Sequence, residues 1–477
     1  MARASDGSRI PPDLREQMTP EVLTFVVVLI EQYAARIARL EARVAELEAK
    51  LPKTPQNSSL PPSSVHPHAK PTEPRKPSGR KPGGQPGHPK FERALVPPEQ
   101  VYQTIVLKPD ACGRCGRRLE GDDPDPERRQ LWELPPIRPL VTEYQRHRLT
   151  CPACGTTTTA QLPEGVPPGQ TGPRLVAFVA LLMAYFRQSK RRVSLFCEAV
   201  LHAPCSTGLT VKLQNQVTAA LAPCYRELVE ALPEASAVNL DETGSKQRRE
   251  KSWLWVAVTA TFTLFAVRLS RSAQVVRELL GEAFGGLLTT DRYGAYNGHE
   301  KRQVCWAHLR RDFQGLIDAG RAGKRIGTRL MDIAGELFGH WRRYRDGTLT
   351  RATMRRNVGR LRYRMWVALE DGQRSHHAPT AGLCRDLFDR FDQLWMFLDH
   401  PQGEPTNNVA ERALRHAVIW RKLSFGTQSA AGSRFVETLL SVIETCRQQQ
   451  RDVFAFVTQA VEAHFSHRPA PSLLSRV

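Results

Sequence analysis

Ala237-Val238-Asn239-Leu240-Asp241-Glu242-Thr243 is the stretch on which the fold turns. A short apolar run there ends in two adjacent carboxylates. Two more strands are expected after it, Ser252 to Thr259 and Phe262 to Leu269, both rich in β-branched and aromatic residues and bounded by polar turns. A helical segment, Ser272 to Phe284, carries Val275, Val276, Leu279 and Leu280 at helical spacing, with Ser270 or Ser272 as its cap. Another strand, Gly286 to Thr290, ends in Asp291. Far downstream, Asn407-Asn408-Val409-Ala410-Glu411-Arg412 opens a helix, with Asn407 or Asn408 as its cap, and supplies a third carboxylate. If the first and fourth strands lie side by side and parallel, Asp241 and Asp291 converge, and a helix on that sheet brings in Glu411. Three such carboxylates suit two hard divalent cations, which neutralise the attacking and leaving oxygens of a phosphoryl transfer. Successive strand residues face opposite sides, so only one of Asp241 and Glu242 can join such a site. The pattern does not decide between them.

The length of 477 residues exceeds one core and points to three or more units. The formal charge of +20 points to a polyanionic partner, most simply nucleic acid (double-stranded DNA once the resemblance below is added), against the plainer reading of a solvated basic surface. The first residues, Met1 to Asp13, are polar, and no secretory signal is expected. The longest apolar run, Leu175 to Phe186, is too short for a bilayer, so no membrane role is expected. Ten cysteines in a chain without an export signal are expected to be free of disulfides.

Residues 1–51 are read as a coiled-coil helix. Leu23, Ile30, Ile37, Val44 and Leu51 fall at one heptad position and Val26, Tyr33, Leu40 and Leu47 at the other, the pattern of a homo-oligomer's coiled coil or of an amphipathic helix folded back on its own chain. Residues 52–98 are a Pro/Gly-rich basic linker with no core-forming composition. Its Arg75, Lys76, Arg80 and Lys81 either hold DNA phosphates or belong to a plain spacer. Residues 99–168 read as a zinc ribbon: Cys112 and Cys115, then Cys151 and Cys154, form two knuckles with the donor set of a structural Zn2+. A β-rich run from Val141 to Leu149 leads into the second knuckle.

Residues 169–233 are expected to be helical, with Ser206 or Thr207 capping a helix and Arg191 and Arg192 in a basic cluster. They form a helix-turn-helix or a plain helical spacer. The strand-rich core occupies 234–313 and ends in Cys305-Trp306-Ala307-His308-Leu309-Arg310-Arg311. His308 is an auxiliary candidate towards phosphate or water, against the plainer reading of a satisfied core histidine. Residues 314–400 form an Arg-rich all-α insertion. Residues 401–465 return to the core, with Arg412, Arg415, Arg421 and Lys422 beside Glu411 and a C-terminal helix from about Arg434 to His464. Residues 466–477 are a tail, expected to be loose after Pro469. Arg310, Arg311 and the four cations near Glu411 complete the DNA-binding candidates.

Several of these motifs are shared in one order. The two Cys pairs, Lys81-Pro-Gly-Gly-Gln-Pro-Gly-His88, Asp241-Glu242-Thr243, Asp291-Arg-Tyr-Gly-Ala-Tyr296, Cys305-Trp-Ala-His308 and Asn407-Asn408-Val-Ala-Glu411-Arg412 together resemble the transposases of the insertion-sequence-sixty-six family. The resemblance runs from the N-terminal helix to about residue 460. Many relatives carry an acidic residue before the Asn pair, where this chain has Thr406. The resemblance implies a DDE-class enzyme with a ribonuclease-H-like core interrupted by an all-α insertion. It implies Asp241, rather than Glu242, with Asp291 and Glu411 as the triad for two Mg2+ or Mn2+ ions. It also implies cleavage at the ends of a mobile element and strand transfer into target DNA, in a bacterial, nucleoid-associated cytoplasmic setting. Small accessory transposition proteins are candidate partners. A zinc-ribbon DNA-binding protein with a non-catalytic core, and a nuclease that cleaves without joining, are the competing functions.

Overall fold

The computed structural model describes residues 17–50, 92–167 and 169–474. The chain divides into two units, one of Met1–Arg75 with His308–Arg390, the other of Lys76–Ala307 with Phe391–Val477. The linker candidates Arg75, Lys76, Arg80 and Lys81 lie outside the described residues.

Helix α1, Pro20–Lys50, bears the heptad. Tyr33, Ile37 and Leu40 are more than half exposed on it. The side chains of Val44 and Leu47, and all of Leu51, lie outside the described residues. Next come two short antiparallel strands, β1 (Arg148–Thr150) and β2 (Thr157–Thr159), paired Arg148 to Thr159. The strand expected from Val141 is therefore only three residues long. Residues 141–147 find no partner strand among the described residues, and without a ladder their β-propensity has nothing to act on.

Helices α2 (Pro173–Ala184), α3 (Lys190–Ala199) and α4 (Thr207–Ala231) follow. Ser206 caps α4 as expected, accepting from the Leu209 N–H at 3.1 Å. The sheet holds β3 (Ala237–Gln247), β4 (Glu250–Val258), β5 (Thr263–Arg268), β6 (Leu287–Thr290) and β7 (Arg302–Val304), with α5 (Ala273–Leu280) between β5 and β6. Its order is β5-β4-β3-β6-β7. The β3–β4 and β4–β5 pairs are antiparallel, and β3–β6 and β6–β7 are parallel.

One face of the sheet, with Val238, Leu240, Trp255, Ala257, Leu264 and Ala266, belongs to one apolar core with residues of α2, α4 and α5. On the other face Leu254, Val256, Val258 and Phe265 meet Ala410, Leu414 and Ala417 of α10 (Asn408–Ser424) and Leu440 of α11 (Ala430–Gln448). The i, i+4, i+7 spacing makes one apolar stripe, and its two alanines let α10 lie close to the strands. Edge strand β5 is closed by α11. Glu437, Ser441 and Thr445 lie four residues apart and accept from the alternate N–H groups of Val267 (2.7 Å), Phe265 (2.8 Å) and Thr263 (3.1 Å).

The single C-terminal helix expected from Arg434 to His464 is two helices. α11 stops at Gln448, the chain turns through Gln450 at φ 56, and Asp452 caps α12 (Val453–Phe465) by accepting from Phe454 and Ala455 N–H. Residues 470–474 are not loose. Leu473 is fully buried, its N–H donates to Glu227, and Pro471 O accepts from the Cys224 thiol.

The other unit carries α6 (Trp306–Asp318, whose first residues belong to the core unit), α7 (Arg321–Arg345), α8 (Arg351–Gln373) and α9 (Ala378–Asp389). Ile326, Leu330, Ile333 and Leu337 on α7, Met354, Val358, Leu361 and Met365 on α8, and Cys384 and Leu387 on α9 form its buried stripes. Gly372 lets α9 approach α8, since a Cβ there would stand 2.2 Å from Cys384 Sγ. The return to the core comes at Phe391, ten residues before the expected 401, because Leu394 O accepts from the Gln303 amide and the Trp306 indole.

Candidate active site

Asp241 sits in the middle of β3, not at its end as the sequence suggested. The antiparallel ladder with β4 carries the strand on from Thr243 to Gln247, pairing polar residues that would otherwise read as a loop. The parallel partner β6 stops earlier. The register Ala237 to Leu287, Val238 to Leu288, Asn239 to Thr289, continued by two residues, sets Asp241 level with Asp291. In the same way the pair Thr290 to Val304 sets Asp291 level with Cys305. Asp291 therefore lies one residue past β6, where its backbone turns away and its side chain is free of the ladder.

The alternation of β3 separates the two adjacent acids. Asp241 shares its face with Asn239 and Thr243, towards α10. Glu242 points to the opposite face and is buried. There it accepts from the Tyr296 hydroxyl and pairs with Arg271. Arg271 is stacked between Tyr293 (3.6 Å to the ring centroid) and Trp253 (4.9 Å). Glu242 thus anchors the face of the strand turned away from α10.

Two further residues, invisible as site residues in the sequence, fix these acids. Arg302 of β7 is fully buried. Its guanidinium donates to Thr290 Oγ1 (2.9 Å), to Asn297 Oδ1 (3.0 Å) and to the carbonyl of Asp291 (2.5 Å), so one fork holds the turn that presents Asp291. Asp291 Oδ1 accepts from the Tyr293 N–H at 2.9 Å, closing that turn. Asn407 stands at the cap position of α10, but its side chain does not cap the helix. Its amide donates to Leu240 O (2.9 Å) and accepts from Asn239 Nδ2 (3.0 Å), while its N–H reaches Cys305 Sγ at 3.1 Å. A buried strand carbonyl next to Asp241 outcompetes a helix end for this amide. The clamp joins the strand of Asp241 to the helix of Glu411. Glu411, in the first turn of α10, has a carboxylate oxygen within 4.8 Å of Cys305 Sγ.

The three expected carboxylates are therefore gathered on one rim of the sheet. The Asp241 carboxyl is pushed up to about 8, first by burial, then by the charges of Glu242, Asp291 and Glu411. Only the Glu242 N–H, donating to Asp241 Oδ1 at 2.9 Å, acts the other way. Burial also raises Glu242, against the pull of Tyr296 and Arg271, and lifts Tyr296 well above the ordinary phenol range. Oxygen donors with too much mutual repulsion fit a hard divalent cation, and Asp241, Asp291 and Glu411 are the side chains that could hold it.

The four expected zinc ligands form two knuckles of the same geometry. Gly116 N–H donates to Cys112 O and Gly155 N–H to Cys151 O, each at 2.9 Å, with the two glycines at φ 72 and 71. The Cys112 thiol is held below its ordinary value by the backbone N–H groups of Arg114 and Cys115, and Cys154 by Thr156. Among the described residues no three of these thiols lie within 4.8 Å of one another. Four thiolates repel, and it is the metal that draws such a set together.

Of the DNA-binding candidates, Arg412, Arg415 and Lys422 are exposed along α10, and Arg191 and Arg192 are exposed on α3. Arg421 is half-buried and donates to Thr243 Oγ1 at 3.0 Å, so it serves the strand rather than the outer surface. Arg310, exposed and 5.6 Å from the Phe338 ring centroid, Arg311 and His308 lie on α6 in the helical unit.

The family description "Transposase IS66 family" matches residues 168–434, which span α2 to the start of α11 and cover more than half of the chain. "Zinc-finger binding domain of transposase IS66" matches residues 109–155, the two knuckles. "Family of unknown function (DUF6444)" matches residues 9–94. Two relatives from Sinorhizobium fredii are uncharacterized. The protein y4qI is 27% identical over 272 residues, 49% of each chain, and y4hP is 26% identical over 415 residues, 76% of this chain and 72% of its own. The match thus spans about half the length of the first relative. No described helix is long and apolar enough to cross a membrane. The zinc-finger match supports zinc at the two knuckles. With the match over the carboxylate-bearing core, this chain belongs to the IS66 family of transposases.

Proposed function

We propose that the chain is a DDE-class transposase that cleaves DNA at the ends of an insertion sequence and joins the freed end to target DNA. The observation that carries this reading is the convergence of Asp241, Asp291 and Glu411 on one rim of the sheet, from two adjacent parallel strands and the helix packed on them. The mixed sheet supports a ribonuclease-H-like core, and the helices from α6 to α9 form its insertion. Asp241, Asp291 and Glu411 would hold two Mg2+ or Mn2+ ions, which when bound neutralise the charge that builds on the oxygens entering and leaving phosphorus. The chain's own part is to fix the three donors. Asn407 ties the Asp241 strand to the Glu411 helix, Arg302 locks the Asp291 turn, and the Tyr296–Glu242–Arg271 group stiffens β3 from behind. Cleavage and joining are both in-line displacements at a phosphodiester, so one rigid site serves both. The exposed heptad residues of α1 provide a seam for pairing two protomers, so that both element ends are processed together.

The test is Mg2+-dependent cleavage and joining of labelled DNA carrying the element's own end, with Glu411→Gln beside the parent. Activity in the parent and none in the variant supports both reaction and triad. Cleavage without joined product moves the assignment to a nuclease, and binding without cleavage to a non-catalytic DNA-binding protein.

A further inference from the structure

Six residues beyond Asp241, roughly 20 Å along β3, the hairpin to β4 turns over two residues, Arg248 and Arg249. Two-residue hairpin turns favour Gly, Asn and Asp because their backbone enters the left-handed region. Here Arg248 takes that conformation at φ 57. Against this turn lies the end of α10. Phe425 terminates the helix in the left-handed region at φ 57, ψ 23, where Gly is the usual residue. The other described non-glycine residues at positive φ are Arg, His and Gln, so Phe425 is the one apolar side chain among them.

The two strained positions are bolted together. Arg248 N–H donates to Thr427 O at 2.7 Å and Thr427 N–H to Lys246 O at 2.9 Å. Gly426 lies flush on the hairpin, since a Cβ there would meet Lys246 O at 2.4 Å. The Phe425 N–H is fixed to Arg421 O at 2.8 Å. This rigid backbone gives the ring no packing in return: Phe425 is 81% exposed and its neighbour Leu423 61%. Around them Lys246, Arg248, Arg249, Lys251 and Lys422 are exposed, with Glu250 as the acid at the turn. A chain that holds an apolar ring in solvent on strained backbone, inside a ring of cations, is shaped for a partner that is anionic outside and apolar between its layers.

We propose that the β3–β4 tip and the end of α10 form a DNA-engaging ridge, in which Phe425, backed by Leu423, enters a base step while Lys246, Arg248, Arg249 and Lys422 hold the flanking phosphates. The proposal rests on the reading of the chain as a DNA-acting protein and adds to it a deforming contact on the same strand as Asp241. Prising a step apart there bends the duplex along the rim that carries the carboxylates.

Phe425→Gly and Arg248→Gly separate this role from a structural one, because both relieve left-handed strain. The full-length variants are compared with the parent for thermal stability and for binding to a fluorescein-labelled duplex containing 2-aminopurine, at several salt concentrations without divalent cation. Phe425→Gly raises Tm, weakens binding roughly ten-fold and abolishes the rise in 2-aminopurine fluorescence that reports unstacking. Arg248→Gly raises Tm and lowers the slope of log affinity against log salt by about 0.9, the loss of one phosphate contact. A Phe425→Gly protein with parental affinity and fluorescence overturns the proposal. So does one whose Tm falls, since the ring would then be packing, or whose oligomeric state alone changes, since the ridge would then meet protein. These readouts need no cleavage. Activity surviving in Glu411→Gln sinks the triad and leaves the ridge standing.

Discussion

Replacing Asp241 by Asn is expected to make the protein more stable in the absence of divalent cation and unable to respond to it. The Asp241 carboxyl is half-buried, and burial, with Glu242, Asp291 and Glu411 adding their charge, pushes it from 3.8 up to about 8. A carboxyl whose folded value lies above its unfolded value keeps its proton in the folded state after the unfolded chain has lost it. Folded protein then binds more protons than unfolded, and stability falls as pH rises from about 4 to about 8. A tenfold difference in proton affinity between the two states is worth about 1.4 kcal/mol, so the penalty at pH 7 is on the order of 4 kcal/mol and vanishes near pH 4. Asn has the same shape, keeps an oxygen for the Glu242 N–H now bonded at 2.9 Å, and carries no charge at any pH. Denaturant unfolding in EDTA should find Asp241→Asn more stable than the parent by a few kcal/mol at pH 7 to 8, and equal to it near pH 4. Added Mn2+ should close that gap by stabilising the parent, and should do so more strongly as pH rises, because the cation competes with the proton. A variant less stable than the parent at pH 8 in EDTA would refute the electrostatic argument. Equal stabilisation of both proteins by Mn2+ would remove Asp241 from the metal site.

Other perturbations test the supports. Asn407→Ala leaves the Leu240 carbonyl and the Asn239 amide without their bonds at 2.9 and 3.0 Å, and should cost about 2–3 kcal/mol in denaturant unfolding while weakening Mn2+ affinity by calorimetry. Arg302→Met removes a buried fork that serves three oxygens of the Asp291 turn, and about 3 kcal/mol or more should be lost. Ser441→Ala strips the partner from the Phe265 N–H on edge strand β5 and should cost about 1–2 kcal/mol, with faster hydrogen exchange at that amide. Cys115→Ser leaves three thiolates for zinc; elemental analysis should find one zinc per chain in the parent and a clear deficit in the variant.

The elements that could be read in advance are those set by one period. The β-branched strands and the helical apolar stripe of α5 announce themselves because each buries one face of a regular repeat. The edges of the pattern fail for equally physical reasons. β3 runs on to Gln247 because a hairpin partner pairs with it, and polar residues join a ladder without leaving a hydrophobic trace. The helix expected from Arg434 to His464 breaks at Gln450 because Asp452 offers a new cap, a local competition that an averaged period hides. The tail is ordered by Glu227 and Gln449, contacts with partners far away in sequence. Glu437, Ser441 and Thr445 carry no signal of their own within the helix expected from Arg434. They are the stripe that satisfies an edge strand.

The Asp241-Glu242 pair shows what pattern could and could not settle. Alternation says that one acid faces the site and the other does not, but it has no means of telling which face that is. The answer lies in what each face meets. Asn239 and Thr243 direct theirs to Asn407 and Arg421, hence to the helix of Glu411, while Glu242 meets a tyrosine and an arginine that the fold brings from 54 and 29 residues away. A buried carboxylate with two strong donors has its hydrogen-bonding needs met from the chain itself. One level with Asp291, hemmed by three like charges and given a single backbone N–H, does not. On the proposed reading, a structural acid and a metal-seeking acid stand one residue apart, and the alternation of one strand separates them.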